Sequence, residues 1–390
     1  MTQTTAERKT DTSTAAGLGW AALRRRDTII RLSVITALLL FTLFGLPQLM
    51  SLYYTGAMTQ VAIYAIVALG LGMLVGRVGL YSLGQVAVLA IGAWAAARLL
   101  FATAQPFPVV VVEAGLVTML LGTLIGLPAL RLRGLYFALI TLMLSGAITV
   151  VFATVNFPNG GSGFTGYDGA LLHIPAIRRP SIAGTDAAYF RYAVVVAIIM
   201  FVLVFAHIKT RPGRAWAAIR QSEPAALAAG INITMYKLWA FALASFITGV
   251  AGGLLAGADK FLYSIDFHPQ DSITLLAVVL MGGVYSMYGA VIAALLNSLL
   301  PAALQDWGVS QDWLTILFGI GVLQVLTTAP AGIVDQFPKD MKKLGRLLWR
   351  LVRRSGAPAT PAAPAAPGAP SASGASSASG ASGASRGGTT

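Results

Sequence analysis

The chain reads as a series of long apolar stretches separated by short polar or basic breaks. A helix needs about 20 apolar residues to cross a bilayer. A charge at its centre costs roughly 2.5–3.5 kcal/mol on insertion scales, so charge-free stretches mark candidate spans. Residues 32–76 contain no Asp, Glu, Lys or Arg. The segment from Pro47 to Gly56 divides them into spans near 30–50 and 56–75, and Arg77 ends the second. Further spans are predicted near 82–101, 108–130, 134–155, 188–208, 237–258 and 313–334. Residues 272–305 are also free of charge, but Gly282-Gly283 splits them into a short run and a longer one. About 12 helical residues reach only about 18 Å, too little for a perpendicular crossing.

Basic residues give the direction of each crossing. Cytoplasmic loops of membrane proteins carry an excess of Lys and Arg. Arg24, Arg25, Arg26 and Arg31 put the N-terminus inside, and alternation then puts Arg77, Arg131, Arg133, Lys209, Arg211, Arg214 and Arg220 inside as well. The loops at 103–108 and 259–270, poor in Lys and Arg, fall outside. Residues 335–354 hold seven Lys or Arg, so the C-terminus is expected inside, which requires an even number of crossings. Residues 271–304 must then cross twice, through short or broken helices of the kind tolerated against protein or a polar cavity. The expected fold is an all-α polytopic membrane protein of about ten transmembrane helices, some short or broken, with both termini cytoplasmic.

The remaining segments follow from composition. Residues 1–28 read as a disordered cytoplasmic N-terminus, with no small-residue cleavage site after the basic run. Residues 29–335 form the transmembrane domain, with an external loop at 156–187 and a cytoplasmic loop at 209–235. Residues 336–354 are a basic cytoplasmic segment, and 355–390 are an Ala, Pro, Ser and Gly tail that cannot bury a core. Hydrophobic residues make up 56% of the chain and charged residues 11%, against about 25% charged in soluble domains. The net charge of +13 sits in termini and short loops, not in a basic aromatic patch, so no nucleic-acid partner is expected.

Catalytic and metal chemistry find little support. There is no cysteine, which removes disulfides, thiolate metal sites and Cys nucleophiles. His173, His207 and His268 lie far apart and show no metal-ligand spacing. No phosphate-binding loop of the GxxxxGK[ST] kind occurs, nor GxSxG, nor HExxH. The expectation is a chain that is not an enzyme and has no cofactor or metal of its own. Glu113 is the carboxylate nearest to a span interior, whereas proton-coupled carriers use buried ionisable relays. That weighs towards energy supplied by another chain.

Four segments are candidates for mechanism. In 209–235, Pro212-Gly213 precedes a short helix near 214–221. Ser222 can cap a second one by accepting from the N–H of Ala225, with Pro224 in its first turn, Glu223 complementing the dipole and Gly230 at C′. The result is a small Ala-rich knob suited to docking, or else a solvated connection. Gly76 to Gln85 reads either as a broken helix lining a path or as a tight turn. The Gly-rich stretch Asn156 to Gly166 and the acidic stretch Asp259 to Asp271 read as external loops, and the acidic one could meet a cationic group. Ser82, Gln85, Thr141, Gly282 and Gly283 are the candidates for a translocation path. Small residues spaced by four (Gly72/Gly76, Gly122/Gly126, Gly249/Gly253/Gly257) fit close helix packing.

Four stretches carry a family resemblance: GRVGLYSLGQVAVLAIGAWAAA at 76–97, LRLRGLYFALITLMLSGAI at 130–148, GRAWAAIRQSEPAALAAGINITMYKLWAFALASFITGVAGGLLA at 213–256, and SITLLAVVLMGGVYSMYGAVIAALL at 272–296. In order and spacing they resemble the LivM-type permease subunits of branched-chain amino acid ABC transporters, over most of 50–330. The resemblance implies a bacterial inner-membrane permease working with a second related permease, two cytoplasmic ATPase subunits that bind ATP, and an external substrate-binding protein. It also implies that 214–230 is the helix coupling the permease to an ATPase, with Arg220, Glu223, Ala225, Ala226 and Gly230 as its residues. Ala225, Ala226 and Gly230 keep the importer spacing, while Glu223 lies one place further from Gly230 than that pattern has it. Relatives with this pattern also carry urea or short amides. A secondary carrier or channel without ATPases, and a membrane scaffold, are the alternatives.

Overall fold

The computed structural model describes residues 36–103, 105–129, 132, 134–154, 179–180, 183–259, 262–263 and 266–308, with isolated positions 33, 313, 316, 319–321 and 323. All of them lie in the unit Met1–Asp340. Every regular element among them is helical. In chain order these are α1 (Thr36–Leu49), α2 (Leu52–Val78), α3 (Gln85–Ala102), α4 (Phe107–Ala129), α5 (Leu135–Thr154), α6 (Asp186–Lys209), α7 (Arg211–Gln221), α8 (Glu223–Ala228), α9 (Ile233–Asp259), α10 (Pro269–Gly282) and α11 (Met287–Asp306). Seven of these are long and apolar enough to span a membrane, and α1 and α10 are shorter apolar helices. The expected span at 313–334, the tail beyond 354, residues 1–28 and most of the loop 156–187 lie outside the described residues.

Several expected boundaries move for local reasons. The break between the first two helices falls at Met50-Ser51, not across Pro47 to Gly56. Pro47 sits inside α1 directly after the π-turn Phe41–Gly45, and Met50 is extended with ψ 148°. Gly56 lies inside α2. The helix before the knob starts at Arg211, earlier than expected near 214, because Pro212 is accommodated in its first turn. The 272–305 region is divided as the glycine pair suggests: α10 stops at Gly282, Gly283 takes φ 110°, and α11 begins at Met287.

The core is built around α9 and α2. α9 packs along α4, α3 and α2, and α2 also packs on α6 and α11. About four-fifths of each of these two helices is buried inside the protein, against less than a third of α5, α6 and α11. The outer faces of the latter, with Leu139, Met143, Ile199 and Val202 exposed, present apolar surface that suits lipid or another apolar partner. Close approach of α9 to α3 depends on missing side chains. A Cβ on Gly92 would stand 2.6 Å from Gly249 Cα, so the two backbones meet directly. Gly122 and Gly126 likewise receive Ser245 and Phe241 of α9. The spaced glycines are packing surfaces, as their spacing suggests.

This contact yields a stability prediction. Gly92→Val should destabilise the bundle by about 1–3 kcal/mol, the usual cost of overpacking, whereas Gly56→Ala, with nothing within 4 Å of the added carbon, should not. Thermal unfolding in detergent measures both, and equal melting of the Gly92 variant and wild type would refute the backbone contact.

Candidate functional site

The knob at 222–230 forms as its residues dictate. Ser222 Oγ accepts from Ala225 N at 3.3 Å, Pro224 lies in the first turn, and Glu223 is the first residue of α8. At the other end Gly230 takes φ 78°. Its N–H donates to Leu227 O at 2.9 Å, and Ile231 N–H donates to Ala226 O at 3.0 Å. That pair of bonds is the Schellman arrangement, which needs a left-handed residue at C′. Ala226 is buried, while Pro224, Ala225, Leu227, Ala228 and Ala229 are exposed. The knob therefore offers a small apolar surface with Leu227 64% exposed at its tip.

Three contacts fix the knob to the membrane helices. Trp216 of α7 is fully buried, and its indole Nε1 donates to Tyr236 O at 2.8 Å. Lys237 of α9, only 5% exposed, donates to Glu223 Oε1 at 2.6 Å. Arg220 Nη1 donates to Gly76 O at 2.5 Å, and its guanidinium lies 4.4 Å from the centre of the Tyr285 ring. Arg77 Nη2 reaches Tyr285 O at 3.3 Å. Arg220 thus joins the end of α2 to the turn between α10 and α11. Arg220, one of the coupling-loop residues, is exposed overall, while its guanidinium faces the membrane helices.

The end of α2 is broken. Leu74–Val78 forms a wide π-turn, Gly79 closes it with φ 84°, and the chain then runs without helical structure to Gly84. From Gly76 to Gln85 the structure places the π-turn end of α2 and a non-helical connection over 79–84 to the next span, α3. A Cβ on Gly76 would collide with the Val284 carbonyl, so this break lies directly against the break after Gly282. The candidate path residues consequently fall into two groups. Gly282 and Gly283 belong to the junction with Gly76 and Arg220.

Ser82, Gln85 and Thr141 form a second, buried group where α3 begins. Leu83 N donates to Thr141 Oγ1 at 2.9 Å, and Gly84 N to Ser82 Oγ at 3.4 Å. Thr248 Oγ1 of α9 donates to Gln85 Oε1 at 3.0 Å, and Val86 N donates to Ser272 Oγ of α10 at 3.2 Å. The first N–H groups of a helix have no partner within it, and in an apolar interior they must find one. The Ser272 hydroxyl of α10 supplies it for Val86, and the Thr141 hydroxyl of α5 does the same for Leu83 just before the helix. Thr248 and Ser272 were missed from sequence. In sequence neither hydroxyl is distinguishable from one bonded to its own backbone.

In the acidic stretch Asp259, Asp266 and Asp271 are exposed, as loop charges are, and each accepts a hydrogen bond. Asp271 Oδ2 accepts from His268 N at 3.2 Å and caps α10. Asp266 Oδ2 accepts from Tyr263 N at 2.8 Å, and Gln60 Nε2 of α2 donates to Asp259 Oδ1 at 2.7 Å. Among the described residues, no group of three His, Cys, Asp or Glu side chains could hold a metal ion.

The Glu223–Lys237 pair gives a direct test of the anchoring. Removing one partner of a buried pair costs roughly 3–5 kcal/mol, and the 23% exposure of the Glu223 side chain places this pair below that range. Glu223→Ala and Lys237→Met should each destabilise more than the double variant implies by addition. A coupling of about 1 kcal/mol or more is expected from the unfolding midpoints, and additive effects would show that the pair does not hold the knob.

Comparison with known proteins agrees with this architecture. A family model described as "Branched-chain amino acid transport system / permease component" matches residues 53–326. The high-affinity branched-chain amino acid transport system permease protein LivM of Salmonella typhimurium is 30% identical over 302 residues, covering 73% of this chain and 70% of the relative. LivM of Escherichia coli K12 is 29% identical over 302 residues with the same coverage. No solved structure gives a significant match. The match over 53–326 includes the broken helices and the knob, and on it the chain belongs to the family of branched-chain amino acid transport system permease components.

Proposed function

We propose that this chain is one membrane-spanning half of an ATP-driven importer for branched-chain or related amino acids in a bacterial inner membrane. It works beside a second related permease, with two cytoplasmic ATPase subunits and an external binding protein that delivers the substrate. ATP belongs to the partner chains, and this chain carries no cofactor. The observation that carries the reading is the knob at 222–230. It exposes a small apolar tip, while its base is tied through Arg220 to Gly76 O and through Glu223 to Lys237. A surface that docks a moving partner needs this construction: a free face for the partner and a stiff linkage behind it.

The distribution of charge supports energy supplied in trans. Each carboxylate in the described apolar helices lies within two turns of a helix end: Glu113, Asp186, Asp259, Asp271 and Asp306. A buried relay along a helix interior, as proton-driven carriers use, is not seen among them. In the proposed cycle Ala225, Leu227 and Ala228 meet the ATPase, and Arg220 carries the displacement to the paired breaks at Gly76 and Gly283. Movement there shifts the start of α3, where Ser82, Gln85, Thr141, Thr248 and Ser272 line the polar interior.

Gly230→Pro tests the docking role. Proline fixes φ near −65° and has no N–H, so it loses both the 78° conformation and the bond to Leu227 O. The variant is expected to reach the membrane at wild-type level but to lose the co-purifying ATPase. Gly230→Ala, which bears only a left-handed penalty of roughly 1–2 kcal/mol, should retain part of it. Unchanged co-purification of the proline variant would refute the docking assignment. Uptake by reconstituted protein without any ATPase would refute the importer reading itself.

A further inference from the structure

A second polar region lies far from the knob. Gln60 precedes Gly76 on α2 by about 24 Å of helix, at 1.5 Å per residue, so the two mark opposite ends of the bundle. There a cavity of about 600 Å³ opens between α2, the end of α9, the turn before α10, and α11. It falls within the size range of pockets that take small ligands, roughly 300–1,000 Å³. Its polar wall is made by Gln60, Tyr64, Asp259, Asp266, Asn297 and Ser298. Asn297 and Ser298 sit within the π-turn Leu295–Leu299 of α11. Such bulges in long helices recur at functional sites.

The wall has a defined chemical bias. No Lys or Arg occurs among the described lining residues. The nearby guanidinium of Arg179 is engaged with Asp186, Gly257 O and Ala258 O. Gln60 Nε2 is used on Asp259, yet Gln60 Oε1 is buried and has no hydrogen-bond partner. A buried acceptor without a donor is costly. Two carboxylates on a cavity wall with no described Lys or Arg call for a ligand that brings positive charge and N–H donors.

We propose that this cavity is a binding site for the primary ammonium group of the transported amino acid, held by Asp259 and Asp266 on the side opposite the knob. The inference rests on the amino-acid importer reading. An ammonium supplies three donors and one charge in a compact group, and an aliphatic side chain would then lie along Leu255, Leu262 and Phe267, which also line the cavity. The site would select for the α-amino group and leave the choice of side chain to other contacts.

Binding to the full-length chain in lipid nanodiscs tests this without any ATPase or binding protein. The probes are leucine, 3-methylbutylamine, which keeps the ammonium and lacks the carboxylate, and 4-methylpentanoate, which lacks the ammonium. The two amines should bind, and the acid should bind at least tenfold more weakly. Asp259→Asn and Asp266→Asn should each weaken amine binding at least tenfold. Asp266 lies in an exposed turn, so its variant serves even if the Asp259 variant misfolds. Absence of amine binding, equal binding of the acid, or wild-type affinity in a folded Asp266→Asn variant would overturn the proposal. Failure of ATP-dependent uptake by the assembled transporter would instead strike the importer reading, which keeps the two outcomes apart.

Discussion

The hydrogen bond from Arg220 to the carbonyl of Gly76 holds together the parts of the molecule that the proposed cycle must move. A helix that ends in a π-turn leaves carbonyls without partners, and in a bundle of apolar helices few donors are at hand to meet them. Arg220 supplies one from outside the spanning helices. The bond is charge-assisted, a class worth about 1.5–3 kcal/mol when shielded, and the exposure of the arginine lowers that figure. The stacking on Tyr285 adds on the order of 0.5–1 kcal/mol. What matters more is the geometry. One planar guanidinium touches α2 and the α10–α11 turn at once, which a lysine could not reproduce.

Behind this junction stands a stiff frame. α9 runs the length of the bundle, anchored at one end by Lys237 on Glu223 and ending at the other in Asp259 on Gln60. Its glycines let α3 and α4 approach to backbone contact, and closely packed helices move as units because tightly filled interiors do not deform continuously. The chain leaves helical conformation at Gly79 and Gly283, with φ 84° and 110°. In the proposed cycle, displacement applied to the knob through α7 is taken up at those two positions. The polar group around Gln85 lies immediately after the first of them.

Much of this was legible in the sequence because lipid imposes simple rules. Charge-free length located α2, α4, α5, α6 and α9 to within a few residues, since a charge in a span is expensive and its absence is visible. Ser222, Pro224 and Gly230 announced a capped knob because each residue type does one job at one position of a helix end. Relations between distant segments were not legible. Nothing in the composition of 209–235 says that Arg220 turns inward, as an exposed arginine and one bound to a carbonyl look alike in sequence. Thr248 and Ser272 were hidden for the same reason. The shift of the first break to Met50-Ser51 shows a different limit. Pro47 reads as a terminator, yet after a π-turn the helix runs past it to Leu49.

The central claim is that Arg220 transmits the work of the ATPases to the broken helices and does not itself dock them. Paired measurements on the reconstituted transporter carrying Arg220→Ala test it most directly: ATP hydrolysis and substrate uptake in the same vesicles. The account predicts that the ATPases stay bound and hydrolysis continues within about twofold of wild type, while uptake per ATP falls at least tenfold. Loss of bound ATPase, or uptake that falls only in proportion to hydrolysis, would contradict it.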